Sequence, residues 1–417
     1  PYGPVPYATT NLTSFTDTMP GSRTYSYRVT AVQERTGTES PPSEVVTGFS
    51  VDGPIEWQGA TRVGTFLTES STSRLAVDNA TTPPTVYQLA VGTTDDSGAS
   101  VRRVEADASL TQLGDAFGEL DGSHARVADL AVHDGVLRAA LVDASSGDLQ
   151  IWTYASHADE FALTATLPTE AVASRSPSLA FDAASSGAFW LAYIASNGAV
   201  ATYRLDAAAE ATELSAGWSP TDESDRFVPR IELAASETGA VVAFEIEDPS
   251  STPHRTLEFP AATIANTATG WSSAVDVFDH TLSGDVTAFD LTIDAGTGAN
   301  HLVVAGDAGV YFADASGPPA EALEAEFGGA PIAAPASIAI AAQGGTIRLL
   351  YLDDSESAAV IRSTDDAGST WTVTSPDDFT ADAELESLQI ETPDDRIFAG
   401  WIADPNGEGA AFVRAYQ

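Results

Sequence analysis

The side chains that most often carry protein chemistry are unevenly supplied in this chain. Six histidines, His124, His133, His157, His254, His280 and His301, stand far apart, with neither a His-x-His nor a His-Glu-x-x-His spacing. A metal site built on one strand or helix face needs such spacing, so these residues read as surface or turn histidines. Five acidic pairs, Asp95-Asp96, Asp353-Asp354, Asp365-Asp366, Asp377-Asp378 and Asp394-Asp395, offer oxygen ligands that could attract Ca²⁺. None belongs to an Asp-x-Asp-x-Asp-Gly loop, and solvated turns account for them. No Gly-x-Ser-x-Gly nucleophile turn occurs. The 60 acidic residues hold carboxylates enough for glycoside chemistry, but spacing marks out no pair. The expectation is therefore no assignable catalytic, cofactor-binding or metal-ligating residue. Trp218 and Trp271, in the loop-like contexts "AGWSP" and "TGWSS", are candidates for an exposed glycan platform. Trp152, Trp190 and Trp401 lie inside strand patterns, where core packing is the better account. Asn11 and Asn79 open N-glycosylation sequons.

Absences narrow the chemistry further. All 18 basic residues are arginine, and neither lysine nor cysteine occurs. This removes the P-loop lysine, Schiff-base catalysis, thiol nucleophiles, thiolate metal sites and disulfides. A formal charge of −42 repels nucleic-acid phosphate and anionic lipid, both of which are bound through clustered cations. The same charge keeps a particle in solution and suits a salty or extracellular setting, because salt screens self-repulsion. The longest apolar stretch, "APIAAPASIAIAA" from Ala330 to Ala342, is short, alanine-rich and broken by proline, so no membrane span is expected.

The elements that must carry these residues are strands. From about residue 55 onward, short apolar runs alternate with Gly, Asp, Ser and Asn turns, with no helical periodicity. "VADLAVHDGVLRAALVDASSGDLQIWTYASH" and "SPSLAFDAASSGAFWLAYIASNGAVATYRLD" share one plan: apolar strand, turn, apolar strand, turn, Tyr-containing strand. The leading apolar residues Leu130, Leu179, Ile231, Leu291, Ile338 and Leu388 are spaced 49, 52, 60, 47 and 50 residues apart. With an earlier unit over 61–107, seven units average about 52 residues, the size of a four-stranded propeller blade. Six or eight blades are also compatible, because the fifth unit is irregular. The last unit offers only three strands, so ring closure requires a fourth from within "PIEWQGATRVG", Pro54 to Gly64. The expected fold is all-β: a module over 1–52 and a seven-bladed β-propeller over 53–417.

Residues 12–48 of that first module resemble the C-terminal half of a fibronectin type III domain. The likeness rests on the turn "MPG", the alternating Tyr25, Tyr27, Val29 and Ala31, with Tyr25 as corner tyrosine, and the loop "RTGTESPPS" before "EVVTG". The early strands of such a domain are missing: either the chain begins mid-domain, the leading expectation, or another chain supplies them, in which case the unpaired edges offer a route to self-association.

Thr364, Asp366, Gly368, Thr370 and Trp371 fit the Asp-box pattern, Ser/Thr-x-Asp-x-Gly-x-Ser/Thr-Trp, and so resemble the box of sialidase-like propellers. A degenerate copy carries Thr94, Asp96, Gly98 and Ser100 but ends in Val101. The resemblance implies a structural hairpin between the third and fourth strands of a blade, away from any active site. It also raises a glycosidase reading, for sialidases use three arginines, a Tyr–Glu pair and an acid/base aspartate. The family's Arg-Ile-Pro signature is absent, and "VPRIEL" around Arg230 has the wrong order. The leading expectation is an exported, non-enzymatic, acidic propeller without cofactor. Its partner would be a protein or glycan at the cell surface, in an adhesive, structural or appendage role. The alternative is a divergent sialidase-like glycan hydrolase. Clustered arginines with a Tyr–Glu pair at the channel mouth would favour the enzyme, and a channel of small apolar residues the binder.

Overall fold

A computed structural model describes the side chains of residues 72–91, 98–105, 109–118, 128–143, 146–169, 171, 177–181, 187–213, 230–235, 240–246, 286–294, 297–306, 310–312, 337–351, 360–365, 371–372, 390–391 and 396–400; strands outside these ranges are described by backbone alone. The chain divides into two compact units, Pro1–Trp57 (with Gln417) and Gln58–Tyr416. In the first, Arg23–Tyr27 pairs antiparallel with Val46–Ser50, placing Tyr25 opposite Gly48, and Val32–Gln33 pairs with Thr38–Glu39.

The second unit is a β-propeller. Among the described residues, seven four-stranded antiparallel sheets follow one another along the chain. Their inner strands are Thr72–Asp78, Ala128–His133, Ser178–Phe181, Ile231–Ser236, Val286–Ile293, Ile338–Gln343 and Leu385–Glu391. Each inner strand packs beside that of the next sheet, and the seventh packs beside the first. The last sheet takes its fourth strand, Thr61–Thr65, from the start of the unit, paired with Ala410–Tyr416.

Why these segments form such sheets follows from their burial. The second strand of each sheet is covered on both faces by neighbouring sheets, so it reads as a continuous apolar run instead of an alternation. Val136–Val142 and Phe189–Ile194 show this, the latter buried at all six positions. Facing side chains form clusters between successive sheets: Leu89 and Val101 meet Leu130, Leu137 and Leu141, and Ile151 and Leu167 meet Leu179, Phe189 and Leu191. Outer strands lose burial. Glu160–Leu167 is exposed at most positions, and Leu163 keeps 48% of its surface.

The hairpins joining first and second strands are set by local chemistry. Asp134 (φ 49°) and Gly135 (φ 74°) form a two-residue turn with both residues left-handed, the geometry that matches strand twist. Gly344 (φ 61°) and Gly345 (φ 92°) repeat it in the sixth sheet. An aspartate of the preceding inner strand caps each turn: the N–H groups of Asp134 and Gly135 donate to Asp78 at 3.0 and 2.7 Å, and those of Gly344 and Gly345 to Asp294 at 2.9 and 2.6 Å. These caps tie one sheet to the next.

The irregularity expected in the fifth unit lies in the fourth sheet. Its short strand Ala261–Ala262 pairs with Val241 and Ala240 of the second strand instead of with the third, Arg255–Glu258. The fifth sheet keeps four strands in simple order. The long spacing before Leu291 thus belongs to the exit from the sheet before it. No helix among the described residues is long and apolar enough to cross a membrane.

Candidate functional site

In six of the seven inner strands a residue at a matching position stands directly before a buried aliphatic one: Arg74-Leu75, Asp129-Leu130, Ser178-Leu179, Glu232-Leu233, Asp290-Leu291 and Ala339-Ile340. The hydrogen bonds define this equivalence. The Leu179 N–H donates to Asp129 Oδ2 (2.6 Å), the Leu233 N–H to Ser178 Oγ (2.9 Å), and the Ile340 N–H to Asp290 Oδ2 (2.8 Å). In each case a side chain of one sheet accepts from the backbone of the next.

Sequence spacing had aligned Ile231 and Ile338 with Leu130; the bonds align Leu233 and Ile340. A shift of two keeps strand parity, so the faces assigned from sequence still hold.

Asp129 and Arg74 form an ion pair, Nε to Oδ1 at 3.7 Å, and their side chains keep 13% and 23% of their surface exposed. Neither is fully sealed in protein. Asp290 Oδ1 also accepts the N–H of Leu291 at 2.8 Å. Glu232 receives the Ser178 hydroxyl and lies within electrostatic reach of Arg74 and Arg230. The guanidinium of Arg230 stands over the Phe289 ring, 5.6 Å from its centroid. From the last inner strand, Glu391 senses both Asp290 and Asp129. Four carboxyl groups from four strands are thus within electrostatic reach of one another, with Arg74 and Arg230 acting on Glu232.

Burial disfavours ionisation there, and the carboxyls oppose one another. Burial pushes Asp129 up to about 7, against the pull of Arg74. Burial and then the Glu232 charge push Asp290 up to about 7. Glu391 rises to about 8, through burial and then Asp290 and Asp129. Glu232 is also raised by burial, opposed by Arg74 and Arg230. At neutral pH the set holds both protonated and ionised carboxyls, the condition for general acid and base to coexist.

Neither the four carboxyl residues nor Arg74 was singled out by sequence. A signal was present: a polar residue directly before an aliphatic one in successive repeats, as in Asp129 and Ser178, 49 apart.

The residues that sequence did single out lie elsewhere. Trp371 is buried among Ile338, Ile340 and Tyr351, with Phe312 edge-on at 5.5 Å. Thr364 is buried at the end of the strand Ala358–Thr364, which pairs with Thr372–Val373, so 364–371 links the third and fourth strands of the sixth sheet. The degenerate stretch links the second and third strands of the first sheet, Thr85–Val91 and Ala99–Val104. The two boxes therefore do not occupy equivalent turns. Gly98 and Ser100 are buried, and Ser100 Oγ accepts from Arg102 at 2.8 Å. Asn79 is exposed in the turn after Asp78. Asn11, Thr94, Asp96, Trp218, Trp271, Asp366, Gly368 and Thr370 lie outside the described residues, as do all members of the acidic pairs except Asp365 as side chains.

Two histidines depart from the surface reading. His301 is 5% exposed and stacks on Phe312, and His133 stacks on Phe181 at 3.9 Å. Flat rings fill space between sheets whatever their polarity, which the spacing argument ignored. His157 lies exposed in a turn. Among the described residues, no three His, Asp or Glu side chains converge closely enough to hold a metal ion.

No protein-family model matches the chain, and no curated protein does. Solved structures do. A polysaccharide lyase described as a new family, PL25 ulvan lyase, bound to -[GlcA(1-4)Rha3S]-, superposes with a TM-score of 0.52 at 11% identity over 84% of this chain and 90% of that one. A second structure of a PL25 ulvan lyase gives 0.51 at 12% identity, with the same coverages. The polysaccharide lyase Uly1 reaches 0.49 at 8% identity, over 85% of this chain and 89% of that one. At such identities the likeness is one of fold, and the fold is a β-propeller.

Proposed function

We propose that the chain acts on an uncharged glycan at the propeller axis, through carboxyl acid–base chemistry. The observation that carries this reading is the set of Asp129, Glu232, Asp290 and Glu391, drawn from four strands into electrostatic reach of one another and held in mixed protonation. Glu391, pushed up to about 8, is suited to donate a proton to a leaving oxygen. Glu232 is raised by burial as well, but both arginines oppose that rise, so it is assigned the partner role of base or nucleophile once ionised. The sialidase alternative weighed from sequence is thereby modified, since no tyrosine is among the groups whose charge these carboxyls sense. Fold analogy lends the reading support, because the ulvan lyases it resembles act on a polysaccharide. An acidic axis disfavours a polyanionic substrate such as theirs.

The test is a reducing-end assay over neutral polysaccharides, with acidic ones as comparison. Hydrolysis of a neutral glycan is expected, and Glu391→Gln should lower it by about 10²–10⁴-fold, the usual worth of a general acid. Absence of turnover on every glycan would sink the reading.

The remaining assignments belong to the same proposal. The seven sheets are read as seven blades of one ring, with 364–371 as an Asp-box hairpin. The first unit is read as a fibronectin III-like fragment, which with the acidic surface supports a location outside the cell or on its surface. A non-enzymatic role in adhesion is the second reading. It is favoured by the inter-sheet hydrogen bonds of Asp129 and Asp290, which give these carboxyls a structural task. Glycan binding without turnover would select it.

A further inference from the structure

One motif singled out by sequence takes no part in the carboxyl chemistry, the sequon Asn79-Ala80-Thr81. It lies in the hairpin that joins Thr72–Asp78 to Thr85–Val91, where Asp78 pairs with Thr85 and the six residues 79–84 form the loop. The corresponding hairpins of the second, fourth and sixth sheets are two-residue turns, closed by His133 and Val136, Ser236 and Gly239, and Gln343 and Thr346. The first sheet thus spends six residues where two suffice, and Asn79, Ala80, Thr82 and Pro83 are exposed in that loop.

An asparagine in a turn has two ordinary structural explanations: a left-handed backbone, or a carboxamide bonded to the turn's own amides. Neither holds at Asn79. Its φ lies outside the left-handed region that Asp134, Asp159 and Ala209 occupy. The turn amide is served by the preceding residue, the Ala80 N–H donating to Asp78 Oδ1 at 3.1 Å. Asn197 shows the contrast, because in its exposed turn Oδ1 accepts the Ala199 N–H at 3.0 Å, and no Ser or Thr stands two residues on. Asn79 therefore presents an exposed carboxamide that the turn does not use. Thr81 is anchored beside it: its hydroxyl donates to the Asp78 carbonyl oxygen at 2.9 Å and lies 3.0 Å from Thr85 Oγ1.

We propose that Asn79 is a modification site, its carboxamide nitrogen carrying an N-linked glycan. The inference rests on the extracellular location read above, since this sequon is used in surface loops of exported chains. The donor is a glycosyl phosphate. Nδ2 attacks the anomeric carbon, a C–N bond forms as the C–O bond to phosphate breaks, phosphate leaves with the bonding pair, and Nδ2 gives up one proton. The transfer reads the Thr81 hydroxyl, which the folded loop commits to its own turn. Attachment therefore precedes closure of the hairpin, and the finished loop holds the sugar outward from an exposed position.

Peptide mapping by mass spectrometry tests this on the full chain from the cells that make it, with medium and cell fractions analysed separately. The peptide containing Asn79 should carry sugar mass in chains recovered outside the cells. Asn79→Gln and Thr81→Val should lose that mass completely, and Thr81→Ser, which restores the hydroxyl, should keep it. An unmodified Asn79 in chains recovered outside the cells would overturn the site and leave the location standing. Chains found only inside the cells, unmodified, would overturn both. Sugar that stays on the peptide in Asn79→Gln sits on another residue and would overturn the assignment too. The readout is mass alone, so whether the chain turns over glycans has no bearing on it.

Discussion

Glu391 differs from a glutamine by one titratable oxygen, and at this position that oxygen decides both reactivity and stability. Its folded-state value of about 8 lies above the unfolded value. The stability it confers is present in full below about pH 4 and disappears as pH rises through about 8. Thermal melts should therefore show a flatter decline for Glu391→Gln than for the native chain between pH 6 and pH 9, even as glycan turnover falls. A parallel decline in both proteins would remove Glu391 from the titrating set. Asp294 makes a different kind of contribution, since its two oxygens accept from the N–H groups of Gly344 and Gly345. Asp294→Ala leaves two backbone donors without these acceptors and should cost about 1–3 kcal/mol in urea unfolding.

At the scale of elements, the chain is held by how sheets interlock. Trp371 closes the cluster of Ile340, Leu349, Tyr351 and Phe312 between the fifth and sixth sheets. Trp371→Ala should cost about 3–5 kcal/mol, read as a shift in denaturant midpoint at constant slope. Gly114 tests the outer rim: its φ is +64°, and an added Cβ would lie 2.6 Å from the carbonyl oxygen of Asp159 in the next sheet. Gly114→Ala should destabilise by about 1–3 kcal/mol, by backbone strain and by separating the rims of sheets 1 and 2.

Strand content and blade-sized spacing were legible in sequence because second strands such as Phe189–Ile194 are uninterrupted apolar runs, and the turns between them are rich in Gly and Asp. The closing strand Thr61–Thr65 falls largely within the segment singled out for it. The site was not legible. Asp129, Glu232, Asp290 and Glu391 stand among 60 acids, and only the register of neighbouring strands makes them face each other. Periodicity reports which face a residue occupies, but the distance between residues 129 and 391 across a ring is a property of closure, to which a local pattern is blind.

For the molecule as a whole, a net charge of −42 with arginine as the sole basic side chain means that each added ion screens far more repulsion than attraction. The melting temperature should rise steadily between 0.1 and 2 M NaCl, and it should rise more at pH 8 than at pH 5, where many surface carboxylates begin to take up protons. A melting temperature indifferent to salt would show that self-repulsion contributes little to the stability balance.

The pairing of Thr61–Thr65 with Ala410–Tyr416 has a consequence in time. Six sheets are made of strands that follow one another directly, so each can assemble as its own stretch of chain becomes available. The seventh must wait for residues 61–65 and 410–416 to meet. Until then the first inner strand and the sixth sheet each present an uncovered flank to the surroundings. Joining them closes a loop of more than 300 residues, an entropic toll that grows only logarithmically with length. Closure of this sheet therefore depends on a long-range encounter that the other six do not need, and long-range pairing of this kind is intrinsically slow.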